Sequence, residues 1–232
     1  ATAPVGGQGG ANPKQIGLGV KLGSIDTVFT PGSPMSTYVD SDVLINGNGF
    51  FVVEDGNGDR FLTRVGNFKL DAQGYLTTSD GLRVIGTDGT QVRFLDGNGA
   101  FPVGVQVENW KIGKDGTINY RLSDGTEGTV TIGLVNVNNP SGLEKVGNSL
   151  YIPTANADAT LTSQAVLNGL NQLTQPGQGG TGTLETGYLE MSNVDLTQEF
   201  TEMIVAQRGF QANSRVITTS DEILQELVNL KR

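Results

Sequence analysis

The feature that most constrains how this chain can fold is a long helical pattern at its C-terminal end. Apolar residues recur there at spacings of three and four, which is the period of one face of an α-helix. The residues of this apolar stripe are Leu196, Phe200, Met203, Ile204, Phe210, Ile217, Leu224, Leu227 and Val228. The pattern predicts a helix over about residues 194–231. A helix of about 36 residues is roughly 54 Å long, which is more than a domain of this size needs to cover its own core.

Arranged as heptads, the stripe forms only half of a coiled-coil seam. The d-like positions are all apolar, namely Leu196, Met203, Phe210, Ile217 and Leu224. The a-like positions are mixed, namely Phe200, Gln207, Ser214, Asp221 and Val228. Two packing modes are open from the pattern alone: the helix folds back on its own domain, or it packs between molecules. The length of the helix predicts that it also packs on something beyond the β region.

The predicted helix has signals at both ends. Ser192 stands three residues before Asp195, a pattern that predicts these two residues as the helix cap and places acidic charge at the positive end of the helix dipole. Lys231 and Arg232 place positive charge at the other end. Gly209 is the one glycine between these signals. Glycine costs ~1 kcal/mol relative to alanine inside a helix, and its presence there is typical of a close approach by another backbone.

The composition excludes several functional classes. A net charge of -9 without any cluster of Lys and Arg argues against nucleic-acid binding. The chain has no cysteine and no histidine, which removes thiolate and imidazole chemistry and most zinc sites. No apolar run approaches the ~20 residues of a membrane span, and no signal peptide precedes the body. The prediction is therefore a protein that is not an enzyme, without a cofactor, a catalytic or metal site, or a membrane span.

Residues 42–140 carry the pattern of antiparallel strands. Short runs of β-branched and aromatic residues alternate with Asn-Gly and Asp-Gly pairs, the strongest short hairpin signals. The predicted fold class is mainly β: an antiparallel, turn-rich β domain followed by a long C-terminal α-helix. We expect an extended linker at 1–15, a β domain at 16–186 with a short helix near 163–173, and a C-terminal assembly segment at 187–232.

Only weak patterns suggest chemistry. Asp55, Asn57 and Asp59 imitate the start of a calcium loop, but Arg60 and Gly66 occupy positions where such a loop needs Gly and Glu. A hairpin turn is therefore the favoured interpretation. The other carboxylates lie mostly in turns, where Asp forms local hydrogen bonds, and no pair is singled out for glycoside hydrolysis.

Three stretches resemble the axial proteins of the bacterial flagellum, the family of hook and rod subunits. Residues 42–86 are similar to the β module of that family, residues 187–232 to its C-terminal assembly helix, and residues 139–151 fit between them. The most specific part is SNVDL followed by MIVAQRGFQANS and TSDEILQELVNL. The resemblance implies that the helix lines the inner layer of a hollow tube. It also implies an N-terminal partner helix that this sequence lacks, so the expectation is a truncated or processed chain.

Within this family, the ending ELVNLKR and the lead-in GGANPKQIGLGV resemble hook subunits of Gram-positive type. The predicted function is therefore a hook subunit that self-assembles into a hollow helical tube, a flexible joint between rod and filament; the distal rod subunit is the alternative. The resemblance also implies a place in the flagellum after export without a cleaved signal peptide. Its partners would be further copies of itself, as a homopolymer of the full-length form, and other axial, junction and cap proteins. An alternative of another class is a secreted β-rich binding module, oligomerised by a C-terminal coiled coil.

Overall fold

The fold is built from short strands followed by one long helix. The computed structural model describes, apart from the side chain of Val228, residues 27–95, 106–170 and 172–230. The predicted linker at 1–15 and the start of the predicted β domain at 16–26 lie outside these ranges. Inside them the strands are antiparallel and the long helix is C-terminal, so the predicted fold class is confirmed.

The elements of the described chain are fifteen short strands, a 3-10 helix at Pro140–Gly142 and two α-helices. The strands are β1 Pro34–Ser36, β2 Val43–Asn46, β3 Phe50–Glu54, β4 Arg60–Thr63, β5 Lys69–Leu70, β6 Leu76–Thr77, β7 Arg83–Val84, β8 Val107–Ile112, β9 Thr117–Leu122, β10 Glu127–Thr131, β11 Leu134–Val135, β12 Glu144–Gly147, β13 Leu150–Ile152, β14 Thr183–Thr186 and β15 Tyr188–Glu190. The α-helices are α1 Gln164–Asn168, which lies in the region 163–173, and α2 Leu196–Asn229.

Most of the strands join one large antiparallel sheet. Its order is β12-β13-β4-β3-β7-β6-β5, and β11 also pairs with β3. A second sheet has three strands, in the order β10-β9-β8. Its side chains and those of the large sheet pack together in one hydrophobic core. The pairs β14 with β2 and β1 with β15 are two-stranded ribbons. Because β15 directly precedes α2 and pairs with β1, the chain enters α2 close to β1.

Local hydrogen bonds explain the tight turns between neighbouring strands. Between β3 and β4, the Asp55 carboxylate accepts hydrogen bonds from the backbone N–H groups of Asn57 and Asp59, each at 2.9 Å. Between β5 and β6, the Asp71 carboxylate accepts one from the N–H of Gln73 at 2.8 Å. An Asp side chain at the first position of a turn thus replaces a missing backbone partner, which is why Asp precedes so many of the glycines.

Strand β3 lies at the centre of the domain and is buried on both faces. Phe51 and Val53 point into one hydrophobic core, whereas Phe50 and Val52 point into a second. The alternation follows from the two-residue period of a strand. The run FFVV lacks polar residues because both of its faces are covered.

Residues 137–170, including α1, cover the second core. Leu143 and Leu167 from this segment are buried in it. Arg60 holds the end of the segment in place, since its guanidinium donates a hydrogen bond to the carbonyl oxygen of Leu170 at 2.6 Å. The polar, Gly-rich segment after β13 is therefore part of the folded domain, although its sequence shows little periodicity.

Replacing Gly66 by alanine is expected to lower the free energy of unfolding by about 1–3 kcal/mol. The Gly66 carbonyl accepts a hydrogen bond from the N–H of Val43 at 2.9 Å, and an added Cβ would collide with the carbonyl oxygen of Val43. The start of β2 would therefore have to shift. Urea unfolding followed by fluorescence of Trp110 measures the loss. Gly56→Ala is the matched control because that position has open space; equal losses in both variants would contradict this account.

Candidate functional site

The start of α2 is capped by Asp195. Its carboxylate accepts hydrogen bonds from the N–H groups of Thr197 at 2.8 Å and Gln198 at 3.4 Å. The hydroxyl of Ser192 instead accepts one from the N–H of Val194 at 3.2 Å, in the segment before the helix. The described helix therefore begins at Leu196 rather than at residue 194, because the Asp side chain caps the helix itself and does not occupy its first turn.

Replacing Asp195 by alanine is expected to destabilise the first turn of α2 by about 1 kcal/mol. The substitution leaves the N–H groups of Thr197 and Gln198 without their side-chain acceptor. Hydrogen exchange measured on these two amides should accelerate roughly fivefold, which corresponds to that energy. Ser192→Ala is the control, since Ser192 accepts no hydrogen bond from the helix. Faster exchange in the serine variant alone would show that the cap is misassigned.

Every described side chain of α2 is exposed to solvent. The exposed fractions of the described stripe residues lie between 52% and 72%. These residues are Leu196, Phe200, Met203, Ile204, Phe210, Ile217, Leu224 and Leu227. Val228 also lies in the helix, and its side chain is outside the described part. Packing of α2 against its own β domain, one of the two modes open from the sequence, does not occur among the described residues.

The apolar stripe winds slowly around the helix. A heptad repeat on a straight α-helix drifts by roughly 20° per heptad. The d-like positions from Leu196 to Leu224 span four heptads, so the stripe turns by roughly 80° along α2. A flat surface would meet only part of such a stripe. A second helix that supercoils with α2 can follow all of it.

The middle of the stripe is less apolar than its flanks. Gln207, Ser214 and Asp221 occupy the a-like positions there, and all three are exposed. Between them, Gly209 has no atom within 4 Å of the place where a Cβ would stand. Nothing in the described contacts of this chain requires glycine at that position. A close approach by a second backbone would require it.

Carboxylates of the β domain are engaged in their own turns. The N–H of Asp59 is the main cause of a lowered pKa at Asp55, and the Thr117 hydroxyl is the main cause of a lowered pKa at Asp115. Carboxylates with a lowered pKa are poorly suited to donate a proton at neutral pH. The described residues also contain no group of three or more side chains able to hold a metal ion. The turn at Asp55 joins the paired strands β3 and β4 as a hairpin turn.

Two long-range contacts at the start of the C-terminal segment are missed by the sequence patterns. Arg64, directly after β4, forms an ion pair with Glu190 of β15 at 2.8 Å. The side-chain amide of Asn193 donates a hydrogen bond to the carbonyl oxygen of Thr30 at 3.0 Å. The partners are 126 and 163 residues apart, so no periodicity can reveal them. The only available signal is that Arg64, Glu190 and Asn193 lie within the stretches that carry the family resemblance.

The fold and its exposed helix define a class of protein. A turn-rich β domain carries an amphipathic helix of about 51 Å, with an apolar stripe that the described residues of this chain leave uncovered. Among the helices in the described ranges, none combines the length and apolar character needed to cross a membrane. This is the architecture of a structural subunit.

Comparisons with known proteins agree with that class. A family model described as "Flagellar hook protein FlgE/F/G D1 domain" matches residues 44–120, and one described as "Flagellar basal body rod FlgEFG protein C-terminal" matches residues 185–230. The flagellar basal-body rod protein FlgG of Bacillus subtilis is 46% identical over 225 residues, covering 97% of this chain and 78% of the relative. FlgG of Caulobacter vibrioides is 33% identical over 220 residues, covering 94% and 74%. The flagellar hook protein FlgE of Borreliella burgdorferi is 24% identical over 407 residues, covering 100% and 88%.

The chain belongs to the flagellar hook and rod protein family. The predicted family is therefore confirmed, and so is the prediction that the chain is a structural protein of the flagellum and not an enzyme. The order of preference within the family changes. The FlgG relatives are more similar than the FlgE relative, so the comparisons favour the rod alternative over the hook.

Proposed function

We propose that the chain is a subunit of the flagellar rod that assembles through α2 into a hollow helical tube. Its 46% identity to the Bacillus subtilis FlgG, against 24% to a hook protein, supports the rod. The alignment to the hook protein extends over 407 residues, whereas this chain has 232. The hook protein thus contains long stretches for which this chain has no counterpart, and a short β domain fits the rod better.

The observation that carries the proposal is the exposed apolar stripe of α2. Burial of one large apolar side chain stabilises an association by about 1.5–3 kcal/mol before the costs of ordering. Eight such side chains lie along one helix with more than half of each exposed. A stripe of this size is a contact surface and not part of a monomer's ordinary exterior.

The partner that fits this stripe is another helix. The roughly 80° turn of the stripe matches a left-handed supercoil. We therefore propose further copies of this chain as its main partner. Copies added head to tail give open-ended helical growth, which is the arrangement of a tube. Other axial, junction and cap proteins would meet the two ends of the tube. The subunit itself would be exported without a cleaved signal peptide.

Electron microscopy together with sedimentation velocity tests the proposal. The purified full-length protein is expected to form straight tubes whose amount rises with protein concentration. Curved tubes would instead support the hook. A small oligomer of fixed size that does not grow with concentration would contradict tube assembly and support a β-rich binding module with a coiled-coil stalk. A monomer at all concentrations would contradict every form of self-assembly through α2.

A further inference from the structure

A short N-terminal strap runs between the β domain and the root of α2. We define the strap as residues 27–36 and the root as residues 188–195. The strap is anchored to the domain by the ring of Phe29, which packs edge-on against Phe50 at 5.9 Å and Tyr151 at 5.2 Å between ring centroids. Two aromatic neighbours of this geometry give the strap a fixed position on the second hydrophobic core.

The strap is hydrogen-bonded to the root along its length. Strand β1 pairs with β15, and the N–H of Met191 continues this ladder by donating to the carbonyl oxygen of Ser33 at 3.0 Å. Further along, the amide of Asn193 donates to the carbonyl oxygens of Val28 at 3.1 Å and Thr30 at 3.0 Å. The residue two positions before the helix cap is thus attached to the same strap that is packed on the domain.

The root is also joined directly to the domain through Arg64 and Glu190. Their side chains are 19% and 15% exposed, and they meet at 2.8 Å. The other carboxylate oxygen of Glu190 accepts a hydrogen bond from the N–H of Gly32 at 3.0 Å, and Arg64 also donates to the carbonyl of Gly49 at 3.1 Å. The extra hydrogen bonds offset the cost of removing this ion pair from water. Loss of one partner would leave the other as a largely buried charge without a counter-charge.

We call the connection between the root and the β domain the joint. Apolar packing alone does not hold the joint in place. Strap and root residues line a cleft of about 680 Å³ that is open to solvent, together with Asn67, Lys145 and Ser149 of the domain. Since the cleft is not filled by side chains, it leaves room for the root to move. The polar contacts across it therefore restrain that motion, in addition to the pairing of β1 with β15.

We propose that Glu190 and Asn193, held by Arg64 and the strap, lock α2 at one fixed direction relative to the β domain. The two residues are positioning residues for the helix. In the rod subunit proposed above, on which this consequence rests, a fixed direction gives every copy the same shape before assembly. The lock itself is a property of a single chain and does not depend on assembly.

Distances between nitroxide spin labels, measured by double electron-electron resonance, test the lock. The chain has no cysteine of its own, so labels go only where cysteine is introduced. Lys69→Cys in the domain and Glu202→Cys in α2 report on the joint, and Lys69→Cys with Asn109→Cys reports on the domain; all three positions are exposed. Labelled chain is diluted tenfold into unlabelled chain, so that each distance belongs to one molecule even if tubes form.

A single narrow distance distribution across the joint is expected in the native chain. The double variant Glu190→Gln with Asn193→Ala should widen it at least twofold and leave the distribution within the domain unchanged. Glu127→Gln is the matched control, since it removes an exposed ion pair with Arg121 at 3.8 Å, and it should widen neither distribution.

Three results would overturn the lock: a wide joint distribution in the native chain, an unchanged width in the double variant, or widening within the domain as well. The last would show that these contacts maintain the domain fold and do not specifically direct the helix. None of these results bears on whether tubes form, which electron microscopy decides separately.

Discussion

Replacing Phe51 by alanine is expected to lower the free energy of unfolding of the β domain by about 3–5 kcal/mol. Phe51 is fully buried in the central strand β3, where it pairs with Thr63 of β4 and Leu134 of β11. Its ring packs edge-on against Phe68 at 5.0 Å. Because strands border Phe51 on both sides, the backbone cannot collapse into the cavity that alanine leaves.

Urea unfolding followed by fluorescence measures this loss. The single tryptophan, Trp110, lies in β8, and its ring centroid is 5.7 Å from that of Phe94. Its emission therefore reports on the same core as Phe51. Phe200→Ala is the matched control, because it makes the same change on the exposed face of α2. At protein concentrations below those that allow assembly, it should change the unfolding energy by less than about 0.5 kcal/mol. Similar losses in both variants would mean that α2 is packed on the domain.

Local signals explain how much of this fold can be predicted from sequence. Asp55 and Asp71 close their turns through side-chain hydrogen bonds within four residues, so the Asp-Gly pattern is sufficient to place the hairpins. The stripe of α2 is likewise a local periodicity. These features need no knowledge of distant parts of the chain.

Long-range pairing explains what the sequence patterns miss. Strand β14 pairs with β2, so that Leu184 lies opposite Ile45, and no local rule predicts that partnership. The cover of the second core by residues 137–170 is equally non-local, since it depends on Arg60 reaching Leu170. The ion pair of the helix root belongs to the same class of contact.

The residues on which the prediction of a hook subunit rests do not separate hook subunits from rod subunits. The lead-in GGANPKQIGLGV lies in residues 9–20, which the structure does not describe, and the ending ELVNLKR lies in the assembly segment. That segment matches a family model whose description covers FlgE, FlgF and FlgG together, so it separates the subunits poorly. Identity over nearly the whole chain carries the difference, since it is 46% with the FlgG relative from Bacillus subtilis and 24% with the FlgE relative.

Replacing Leu224 by aspartate is expected to raise the protein concentration needed for assembly by at least about 100-fold. Leu224 is a d-like stripe residue, and it is exposed in the single chain. Burying it between helices is worth about 1.5–3 kcal/mol, and a buried carboxylate adds a further penalty, while each 1.4 kcal/mol corresponds to tenfold in concentration. Phe210→Asp should have the same effect two d-like positions earlier in the helix. Sedimentation velocity over a concentration series measures the shift.

Ala212→Asp separates the effect of the stripe from the effect of charge. It places an aspartate two residues after Phe210, roughly 200° around the helix, at an exposed position. The net charge changes by the same amount as in Phe210→Asp and Leu224→Asp. Assembly of this variant should stay close to that of the native chain. In all three variants the urea midpoint reported by Trp110 should be unchanged, because α2 has no buried side chain in its described part. Tubes from Leu224→Asp at native concentrations would show that the apolar stripe is not the assembly surface. A loss of assembly in Ala212→Asp as well would show that added negative charge, and not the stripe, controls assembly.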